Sequence, residues 1–329
     1  MKATVANDTI LKVENLEMLF PLTKGLLSRQ YASVRAVDNI SFEVTKGKTF
    51  GLVGESGCGK TTTGKCILRI LEPTAGRVLY NGVDITKMPR KELKQYRREL
   101  QMIFQDPYGS LDPRQSASSM LKEALTIGQT KKLTGEINDR IEELLVLVGL
   151  NTEMKVRYPH ELSGGQRQRL GIARALACDP KLIVCDEPVS ALDVSIQAQI
   201  INLFERLQEE LELTYVFVAH DLAVVRHIAE RIGVMYLGHL VEVLDSSDLF
   251  QNSMHPYTKA LLSAVPTIDY YAEKSRNRIL LEGEVPSPIN APSGCPFHPR
   301  CKYATEQCKK QRPELTDRGG EHMVACHNV

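Results

Sequence analysis

The sequence contains no tryptophan, has almost no net charge and has no long apolar run. Its 41 lysines and arginines are matched by 40 aspartates and glutamates, a balance that argues against a surface devoted to nucleic acid. No uninterrupted apolar stretch approaches the roughly 18 residues that a membrane-spanning helix needs. Residues 1–10 lack the basic region and apolar core of a secretory signal. We therefore expect a cytosolic protein that binds no nucleic acid.

The length and composition fit one large globular domain with a smaller one, or two domains. With 329 residues, of which 43% are hydrophobic and 25% charged, the chain can bury a sizeable core. Four of the eight cysteines are scattered over the first 190 residues, and the other four cluster near the C-terminal end. In a cytosolic protein such a cluster indicates a metal site more than disulfides.

Residues 54–61 fit the phosphate-binding loop pattern G-x-x-x-x-G-K-[ST]. An apolar run before them predicts a short buried strand over 49–53, and the residues after them predict a helix over 62–71. This order turns backbone N–H groups toward phosphate oxygens, and the alternative is a glycine-rich turn that binds nothing. We expect Lys60 to reach the β- and γ-phosphates and the Thr61 hydroxyl to bind Mg²⁺. The predicted nucleotide-binding residues here are Gly54, Glu55, Ser56, Gly57, Cys58, Gly59, Lys60, Thr61 and Thr62.

A second anion site is predicted at residues 162–166, where the sequence is LSGGQ. Ser163 precedes a predicted helix over 167–177 and can cap it. Gly164 and Gly165 leave backbone N–H groups exposed at the helix start, where an anion binds favourably. The alternative is a capped helix start that binds no ligand.

Four polar residues at the ends of predicted buried strands complete the candidate site: Gln105, Asp186, Glu187 and His220. Gln105 can reach Mg²⁺ or a water molecule, and Asp186 can hold Mg²⁺ through water. Glu187 can polarise a water for in-line attack on the γ-phosphate. We interpret His220 as a residue on the phosphate side, although a histidine at a strand end is usually structural.

In this order, the motifs closely resemble those of the ATPase subunit of ABC transporters, over about residues 10–250. The pentapeptide at 162–166 separates that family from other P-loop proteins. The resemblance implies that Gln105 is the Q-loop residue, Asp186 the Walker B carboxylate and Glu187 the catalytic carboxylate. It also implies that residues 190–193, with Asp193, form the D-loop. His220 is then the switch histidine.

The resemblance also suggests an adenine-stacking aromatic. Tyr31 lies where that residue is expected, but a basic insertion makes the alignment loose. Phe20 is a competitor, and a structural role for either ring is the alternative.

The implied fold is α/β. It consists of a P-loop NTPase core with an antiparallel β subdomain and a helical subdomain over about 106–180, followed by a small irregular cysteine-rich module. Prolines, glycines and polar residues dominate after residue 266, and periodicity disappears. We place the nucleotide-binding domain at 1–250 and the C-terminal module at 251–329.

Subunits of this family work as head-to-tail dimers, which implies that ATP on Lys60 and Thr61 is covered by Ser163, Gly164, Gly165 and Gln166 of another subunit. No motif is degraded, so we expect a hydrolytically competent site. Residues after 105, up to about 160, would contact transmembrane subunits.

The C-terminal part resembles the oligopeptide/dipeptide/nickel importer ATPases, through HPYT at 255–258, GEVPSP at 283–288 and the cysteine module. The sequence FPL at 20–22 and the insert after it resemble the second of the two ATPases in such systems. The implied partners are a related but distinct ATPase subunit, two permease subunits and an extracytoplasmic solute-binding protein. The chain would then lie at the cytoplasmic face of the membrane, bound peripherally through the permease.

The clustered cysteines have spacings of x₅, x₆ and x₁₇. Four thiolates suit a [4Fe–4S] cluster or tetrahedral Zn²⁺, and unligated thiols are the third alternative. The tight C-x₂₋₄-C pairs of structural zinc are absent, and the importer resemblance favours the cluster. A metal here would act as a staple for a module with little core. The predicted ligands are Cys295, Cys301, Cys308 and Cys326, and the competing zinc ligands, expected on the surface, are His298, His322 and His327.

We therefore predict an ATPase that drives peptide uptake. The alternatives are an importer for nickel or another small solute, an exporter, and a soluble regulatory ABC ATPase. Glu187 and His220 argue against a protein that binds ATP without hydrolysis.

Overall fold

The computed structural model describes residues 8–24, 29–128, 137–265 and 278–329. These residues form two compact units. Unit 1 takes its residues from 1–44, 49–86 and 219–329, and unit 2 from 45–48 and 87–218. In the described part of the chain, no helix combines the length and the apolar character that crossing a membrane requires.

The strands are β1 (Thr9–Lys24), β2 (Arg29–Thr45), β3 (Thr49–Val53), β4 (Ala75–Tyr80), β5 (Val83–Asp84), β6 (Leu100–Ile103), β7 (Leu182–Asp186), β8 (Thr214–Ala219), β9 (Arg231–Tyr236), β10 (His239–Asp245), β11 (Thr316–Asp317) and β12 (Met323–Val324). The helices are α1 (Lys60–Ile67), α2 (Arg90–Leu93), α3 (Pro107–Ser110), α4 (Ala117–Gly128), α5 (Ile137–Leu147), α6 (Gly164–Leu176), α7 (Val194–Leu211), α8 (Leu222–Ile228), α9 (Leu249–Asn252), α10 (Pro256–Ala264) and α11 (Glu306–Lys310). Short 3₁₀ turns lie at Thr152–Val156, Pro159–Glu161, Ser246–Asp248 and His298–Arg300.

Unit 1 contains two groups of strands. One is a four-stranded sheet in the order β2-β1-β4-β5, in which β4 pairs antiparallel with both β1 and β5. The β4–β5 turn has positive φ at Asn81 and Gly82, as a two-residue hairpin requires. The other group follows the order β11-β12-β10-β9-β3, with β3 parallel to β9. The chain end joins this group because β12 pairs with β10.

Unit 2 is a parallel sheet with helices. Strand β7 pairs in parallel with β6 and with β8, and all five residues of β7 are buried. Such a continuous apolar run is typical of a parallel strand covered on both faces. In α5 the buried residues Ile141, Leu144 and Leu145 share one face, the spacing that predicts an amphipathic helix.

The first helix ends earlier than its sequence predicts. The sequence predicts that it continues to residue 71, but α1 ends at Ile67. Arg69 takes a left-handed φ of 52°, its N–H donates to the Cys66 carbonyl, and the Ile70 N–H donates to the Lys65 carbonyl. This pair of bonds is the Schellman arrangement, which closes a helix end.

Candidate functional site

The predicted phosphate-binding loop lies in unit 1, between β3 and the start of α1. Its first and last glycines are tightly enclosed by backbone. A Cβ on Gly54 would lie 2.1 Å from the Met235 carbonyl oxygen, and one on Gly59 2.0 Å from that of Ala36. Gly59 also has a φ of +108°, which residues with a Cβ rarely adopt. The local fold therefore requires glycine at both positions.

The Lys60 ammonium is held inside this loop. The side chain is buried, and Nζ donates to the carbonyl oxygens of Gly54 (2.8 Å) and Glu55 (3.0 Å). Its distance to the Cys58 sulfur is 3.8 Å. Lys60 and Thr61 are also the first residues of α1, where the partial positive charge of the helix dipole favours anions. The loop thus combines a cation with helix N–H groups, as phosphate binding requires.

Two further predicted residues also lie in unit 1. His220 follows the last residue of β8 and is exposed. Tyr31 lies on β2 with 64% of its surface exposed, and its competitor Phe20, on β1, is half-buried. An exposed aromatic ring is available to stack on a base, but the roles of Tyr31 and His220 stay predictions.

In unit 2 the structure brings Gln105 and Glu187 together. The Gln105 side-chain Nε2 donates to Glu187 Oε2 at 2.9 Å, although the residues are 82 positions apart. Asp186 ends β7 and is only 3% exposed. Glu187 turns out of the strand with a left-handed φ of 45°, and its N–H donates to the Val218 carbonyl. The backbone of Glu187 is therefore held by the Val218 carbonyl, and its carboxylate is held by the Gln105 amide.

The LSGGQ segment forms the start of α6. Ser163 Oγ accepts from the Gln166 N–H (3.3 Å), and Gln166 Oε1 accepts from the Ser163 N–H (2.9 Å). This capping box confirms the predicted cap but places the helix start at Gly164, three residues before the expected position. A Cβ on Gly165 would lie 2.7 Å from Ile196 Cγ2, so that glycine allows α6 and α7 to approach.

The predicted D-loop is bonded to the backbone of Glu187, the predicted catalytic residue. Ser190 Oγ donates to the Glu187 carbonyl at 3.0 Å, and Asp193 directly precedes α7. The contact of Ser190 was not anticipated from the sequence, although a serine three residues after a strand-end carboxylate is a usable signal for a turn.

Two other contacts that the sequence did not predict involve the phosphate-binding loop. The Tyr257 hydroxyl accepts a hydrogen bond from the Glu55 N–H, and the Arg300 guanidinium binds the Glu55 carboxylate. Tyr257 lies in the HPYT segment, whose sequence indicates a family resemblance but no contact with this loop. The contact of Arg300 could not be predicted from local sequence patterns, because Arg300 is 245 positions from Glu55.

The four C-terminal cysteines all lie in unit 1 and all carry free thiols. Cys295, Cys308 and Cys326 are buried and Cys301 is half-buried. The Cys295 N–H donates to the Cys308 carbonyl at 2.7 Å. Burial raises the pKa of the Cys295 thiol to about 11, and the neighbouring thiols of Cys308, Cys326 and Cys301 add to the rise. The cysteines are thus close enough to influence one another.

The described residues nevertheless contain no group of three or more histidine, cysteine, aspartate or glutamate side chains in the geometry of a metal site. The predicted [4Fe–4S] or Zn²⁺ site is therefore not supported by this geometry. In this geometry the four cysteines are arranged as buried or half-buried side chains with free thiols, of the kind that pack as small apolar groups.

The competing histidines have other neighbours. Nδ1 of His298 lies 2.9 Å from the Cys295 carbonyl oxygen, and Nε2 of His327 lies 2.9 Å from that of Gln311. His322 is buried against Glu242, not on the surface as expected.

The fold and these motifs together define the chain as a P-loop ATPase of the ATP-binding cassette class. The chain belongs to the ABC transporter family: residues 37–190 match that family, and residues 241–308 match the family described as oligopeptide/dipeptide transporter, C-terminal region.

Relatives match along nearly the whole chain. It is 51% identical to the oligopeptide transport ATP-binding protein AppF of Bacillus subtilis (strain 168), over 98% of this chain and 99% of that protein. It is 46% identical to the dipeptide transport ATP-binding protein DppF of Haemophilus influenzae, over 98% of each chain.

Solved structures of cassettes match about three quarters of the chain. A dimeric post-hydrolysis state of the ATP-binding cassette MJ0796, bound to ADP and Pi, gives a TM-score of 0.64 at 29% identity, covering 72% of this chain and 98% of that one. The structure of cbiO1 from Clostridium perfringens gives 0.63 at 28% identity, covering 74% and 92%.

Proposed function

We propose that the chain hydrolyses MgATP to drive the uptake of peptides through partner permease subunits. The observation that carries this proposal is that an undegraded set of cassette motifs is followed by residues 241–308, which match the C-terminal region of oligopeptide/dipeptide transporters. The relatives reported above carry oligopeptide or dipeptide transport in their names, which does not favour the nickel, exporter or regulatory alternatives.

In unit 1, the residues of the phosphate-binding loop hold the nucleotide. Lys60, already buried inside the loop, neutralises the β- and γ-phosphates, and the loop N–H groups donate hydrogen bonds to the phosphate oxygens. The Thr61 hydroxyl is a hard oxygen donor of the kind that Mg²⁺ prefers, as are the Asp186 carboxylate and the Gln105 amide. When bound, Mg²⁺ neutralises charge that develops on the phosphate oxygens.

In unit 2, Glu187 acts on the attacking water. Its carboxylate accepts a proton or a hydrogen bond from that water, while the 2.9 Å bond from Gln105 holds the carboxylate in orientation. His220 acts on the phosphate side as the switch residue. These roles for Glu187, Gln105 and His220 are proposals that the family membership supports.

The second anion site belongs to the assembly. We propose that Ser163, Gly164, Gly165 and Gln166 cover ATP held by another ATPase subunit, because the start of α6 offers N–H groups and a partial positive charge. The loss of γ-phosphate removes that bridge and lets the pair open. The dimeric MJ0796 cassette supports this arrangement.

The partner ATPase is proposed to be a related but distinct chain. The two ATPases would lie at the cytoplasmic face of the membrane beneath two permease subunits, with Asp193 of the D-loop facing the partner. An extracytoplasmic solute-binding protein would deliver the peptide.

Tyr31 is proposed to stack on adenine. An exposed ring can give such stacking at low cost, and Tyr31→Phe should keep ATP affinity while Tyr31→Ala weakens it. If Tyr31→Ala bound ATP as tightly as wild type, Tyr31 would not be the stacking residue. Phe20→Ala would then test the competing ring.

We also propose that Cys295, Cys301, Cys308 and Cys326 bind a [4Fe–4S] cluster, with Zn²⁺ as the alternative. The position of all four cysteines in one C-terminal module, with the Cys295 N–H bonded to the Cys308 carbonyl, supports this. Iron, sulfide and zinc analysis after anaerobic purification tests it, since a cluster predicts about four irons per chain. If the purified chain contained neither iron nor zinc in stoichiometric amount, that result would overturn the proposal.

The peptide function is tested by uptake. The coding sequence is deleted in the source cell and restored as wild type or as Glu187→Gln, and uptake of radiolabelled di-, tri- and pentapeptides is compared with that of ⁶³Ni²⁺. Peptide uptake should disappear in the deletion strain and return only with wild type, while nickel uptake is unchanged. Loss of nickel uptake with normal peptide uptake would overturn the proposal.

A further inference from the structure

Glu55, the second residue of the phosphate-binding loop, is held through every one of its polar groups. Its N–H donates to the Tyr257 hydroxyl at 2.9 Å, and its carbonyl accepts from Lys60 Nζ at 3.0 Å. Its carboxylate accepts from both terminal nitrogens of Arg300, at 2.8 and 3.1 Å. No other part of Glu55 could be restrained by hydrogen bonding.

Two of these three partners come from outside the cassette motifs. Tyr257 and Arg300 lie within residues 241–308, the part that matches the oligopeptide/dipeptide transporter C-terminal region, whereas the ABC transporter match covers residues 37–190. Lys60 is the loop's own residue. The restraint on Glu55 is therefore supplied by the C-terminal module.

The Tyr257 contact fixes a particular peptide plane. The N–H of Glu55 and the carbonyl of Gly54 belong to the same peptide unit. The N–H is bound by Tyr257, and the carbonyl is bound by Lys60 at 2.8 Å. Because a glycine backbone has a wide range of allowed conformations, these two hydrogen bonds help to fix the orientation of this plane. Its orientation sets where the following N–H groups point.

The Arg300 contact is stronger and more directional than an ordinary surface ion pair. The Arg300 side chain is 8% exposed and that of Glu55 27%, so water screens the pair only partly. Two parallel N–H···O bonds between a guanidinium and a carboxylate also fix geometry, which a single lysine contact does not. The pair therefore restrains position as well as neutralising charge.

Both partners stand on a rigid support. Tyr257, Tyr236 and Phe297 are at most 1% exposed, and their ring centroids lie 4.7 to 5.4 Å apart. The Arg300 guanidinium lies 6.0 Å from the Tyr236 ring centroid. Aromatic packing of this kind leaves few alternative rotamers, so a change in the module is transmitted to the loop.

We propose that Arg300 and Tyr257 are positioning residues that hold the loop in the form that binds nucleotide, so that the C-terminal module sets the affinity for ATP. This role rests on the proposed assignment of residues 54–61 to phosphate binding. Loss of Arg300 acts in two ways. It releases the Glu55 side chain, and it leaves a carboxylate without its cation beside a loop that must accept phosphate anions.

The test measures ATP binding and turnover by the purified full-length chain. Arg300→Gln should raise the Kd for ATP about 10-fold, since hydrogen bonds to charged groups are the strong ones. Tyr257→Phe, which removes one hydroxyl and keeps the ring, should raise it about threefold. Arg300→Lys separates the two effects: it restores affinity fully if charge alone matters and only in part if the two-bond geometry matters.

Arg318→Gln is the matched control, because Arg318 donates to the Cys326 carbonyl within the module itself. It should leave the Kd for ATP unchanged. A positioning role raises KM for ATP while kcat stays within about twofold of wild type, and the thermal unfolding midpoint of Tyr257→Phe and Arg300→Lys reports whether folding is intact.

The proposal is overturned if Arg300→Gln, Arg300→Lys and Tyr257→Phe all bind ATP as wild type does. It is also overturned if they lose kcat and thermal stability with no change in KM, since that pattern is a purely structural role. If the wild-type chain itself fails to bind ATP, the proposed nucleotide site fails instead, and the two failures are thereby distinguished.

Discussion

The Gln105 amide donates a 2.9 Å hydrogen bond to the Glu187 carboxylate, and the register of two strands puts them there. Strands β6 and β7 pair in parallel with Leu100 opposite Leu182 and Ile103 opposite Cys185, an offset of 82 positions. Gln105 and Glu187 have the same offset. The pairing of the strands therefore delivers the amide to the carboxylate, and the two side chains act as one group.

Glu187→Gln should remove ATP turnover and leave ATP binding in place. An amide cannot accept a proton from water, and loss of a general base costs about 10²- to 10⁴-fold in rate. We expect kcat to fall by at least about 100-fold and the Kd for ATP to change less than about threefold. Steady-state ATPase assays and equilibrium binding measure the two quantities.

The matched control is Glu209→Gln, an exposed carboxylate on α7 in the same unit. Its turnover should equal that of wild type. A Glu187→Gln protein that retains more than about a tenth of wild-type kcat would place the catalytic base elsewhere.

Two glycines of the phosphate-binding loop should respond differently to alanine. At Gly59 the new Cβ would meet the Ala36 carbonyl oxygen at 2.0 Å, whereas at Gly57 it would have no neighbour within 4 Å. Both have positive φ, which alone costs about 1–2 kcal/mol for a residue with a Cβ. Gly59→Ala should therefore lower the free energy of unfolding by about 3 kcal/mol, and Gly57→Ala by about 1.

Urea denaturation of the two variants against wild type gives the comparison. Equal losses of stability would mean that the loop relaxes around the new methyl group at Gly59 and relieves the expected clash with the Ala36 carbonyl oxygen.

The contrast between local and distant contacts explains what the sequence could predict. The strand, glycine loop and helix at residues 49–67 follow from local spacing, as do the capping box of Ser163 and Gln166, because each involves neighbours within a few positions. The bonds from Gln105 to Glu187 and from Arg300 to Glu55 span 82 and 245 positions. They depend on strand register and on the path of the C-terminal module, and periodicity carries no information on either.

The end of the first helix was missed for another reason. A left-handed residue after a helix is usually glycine, but here it is Arg69. Its guanidinium donates to the Ile85 carbonyl at 2.7 Å in the interior, so a tertiary contact compensates for the unfavourable backbone. A search of the sequence for a terminating glycine therefore cannot locate the C-terminal end of this helix.

Buried His255 should make the protein less stable in mild acid. The side chain is 1% exposed, and its Nδ1 accepts the Tyr257 N–H at 3.1 Å, which caps α10. Burial lowers its pKa from 6.5 to about 3. Because the unfolded chain binds this proton more tightly, the stability contributed by neutral His255 is complete above pH 6.5 and is lost as the pH falls toward 3.

His255→Asn tests this, because asparagine can cap the helix but does not titrate. Between pH 7 and pH 5 the wild type should lose about 2 kcal/mol more stability than His255→Asn, since each pH unit below 6.5 costs about 1.4 kcal/mol. Urea denaturation at both values gives the difference. The control is His160→Asn, at an exposed histidine, which should keep the wild-type pH dependence. If His255→Asn also kept the wild-type pH dependence, the His255 ring of the wild type would already be charged in the folded state, and the prediction would be wrong.

The C-terminal end of the chain is held by one buried carboxylate, and its removal should release that end. Glu242 is fully buried and accepts from the backbone N–H groups of Met254 (2.6 Å) and His255 (3.2 Å), while Nε2 of His322 lies 2.7 Å from its Oε1. Glu242→Ala would leave these donors buried without an acceptor, at a cost of about 1–3 kcal/mol for each lost partner. The pairing of β10 with β12 runs through the same residue, opposite Val324.

We therefore expect limited trypsin digestion to cleave Glu242→Ala after Arg318 at least about 10-fold faster than wild type, because local opening is the step that exposes this site. Glu321→Ala is the control: that carboxylate is exposed and pairs with Arg231 at 3.1 Å, so its loss should change cleavage less than twofold. If the two variants were cleaved at equal rates, the end of the chain would be held by its other contacts, chiefly the Arg312 bond to Asp38, and not by Glu242.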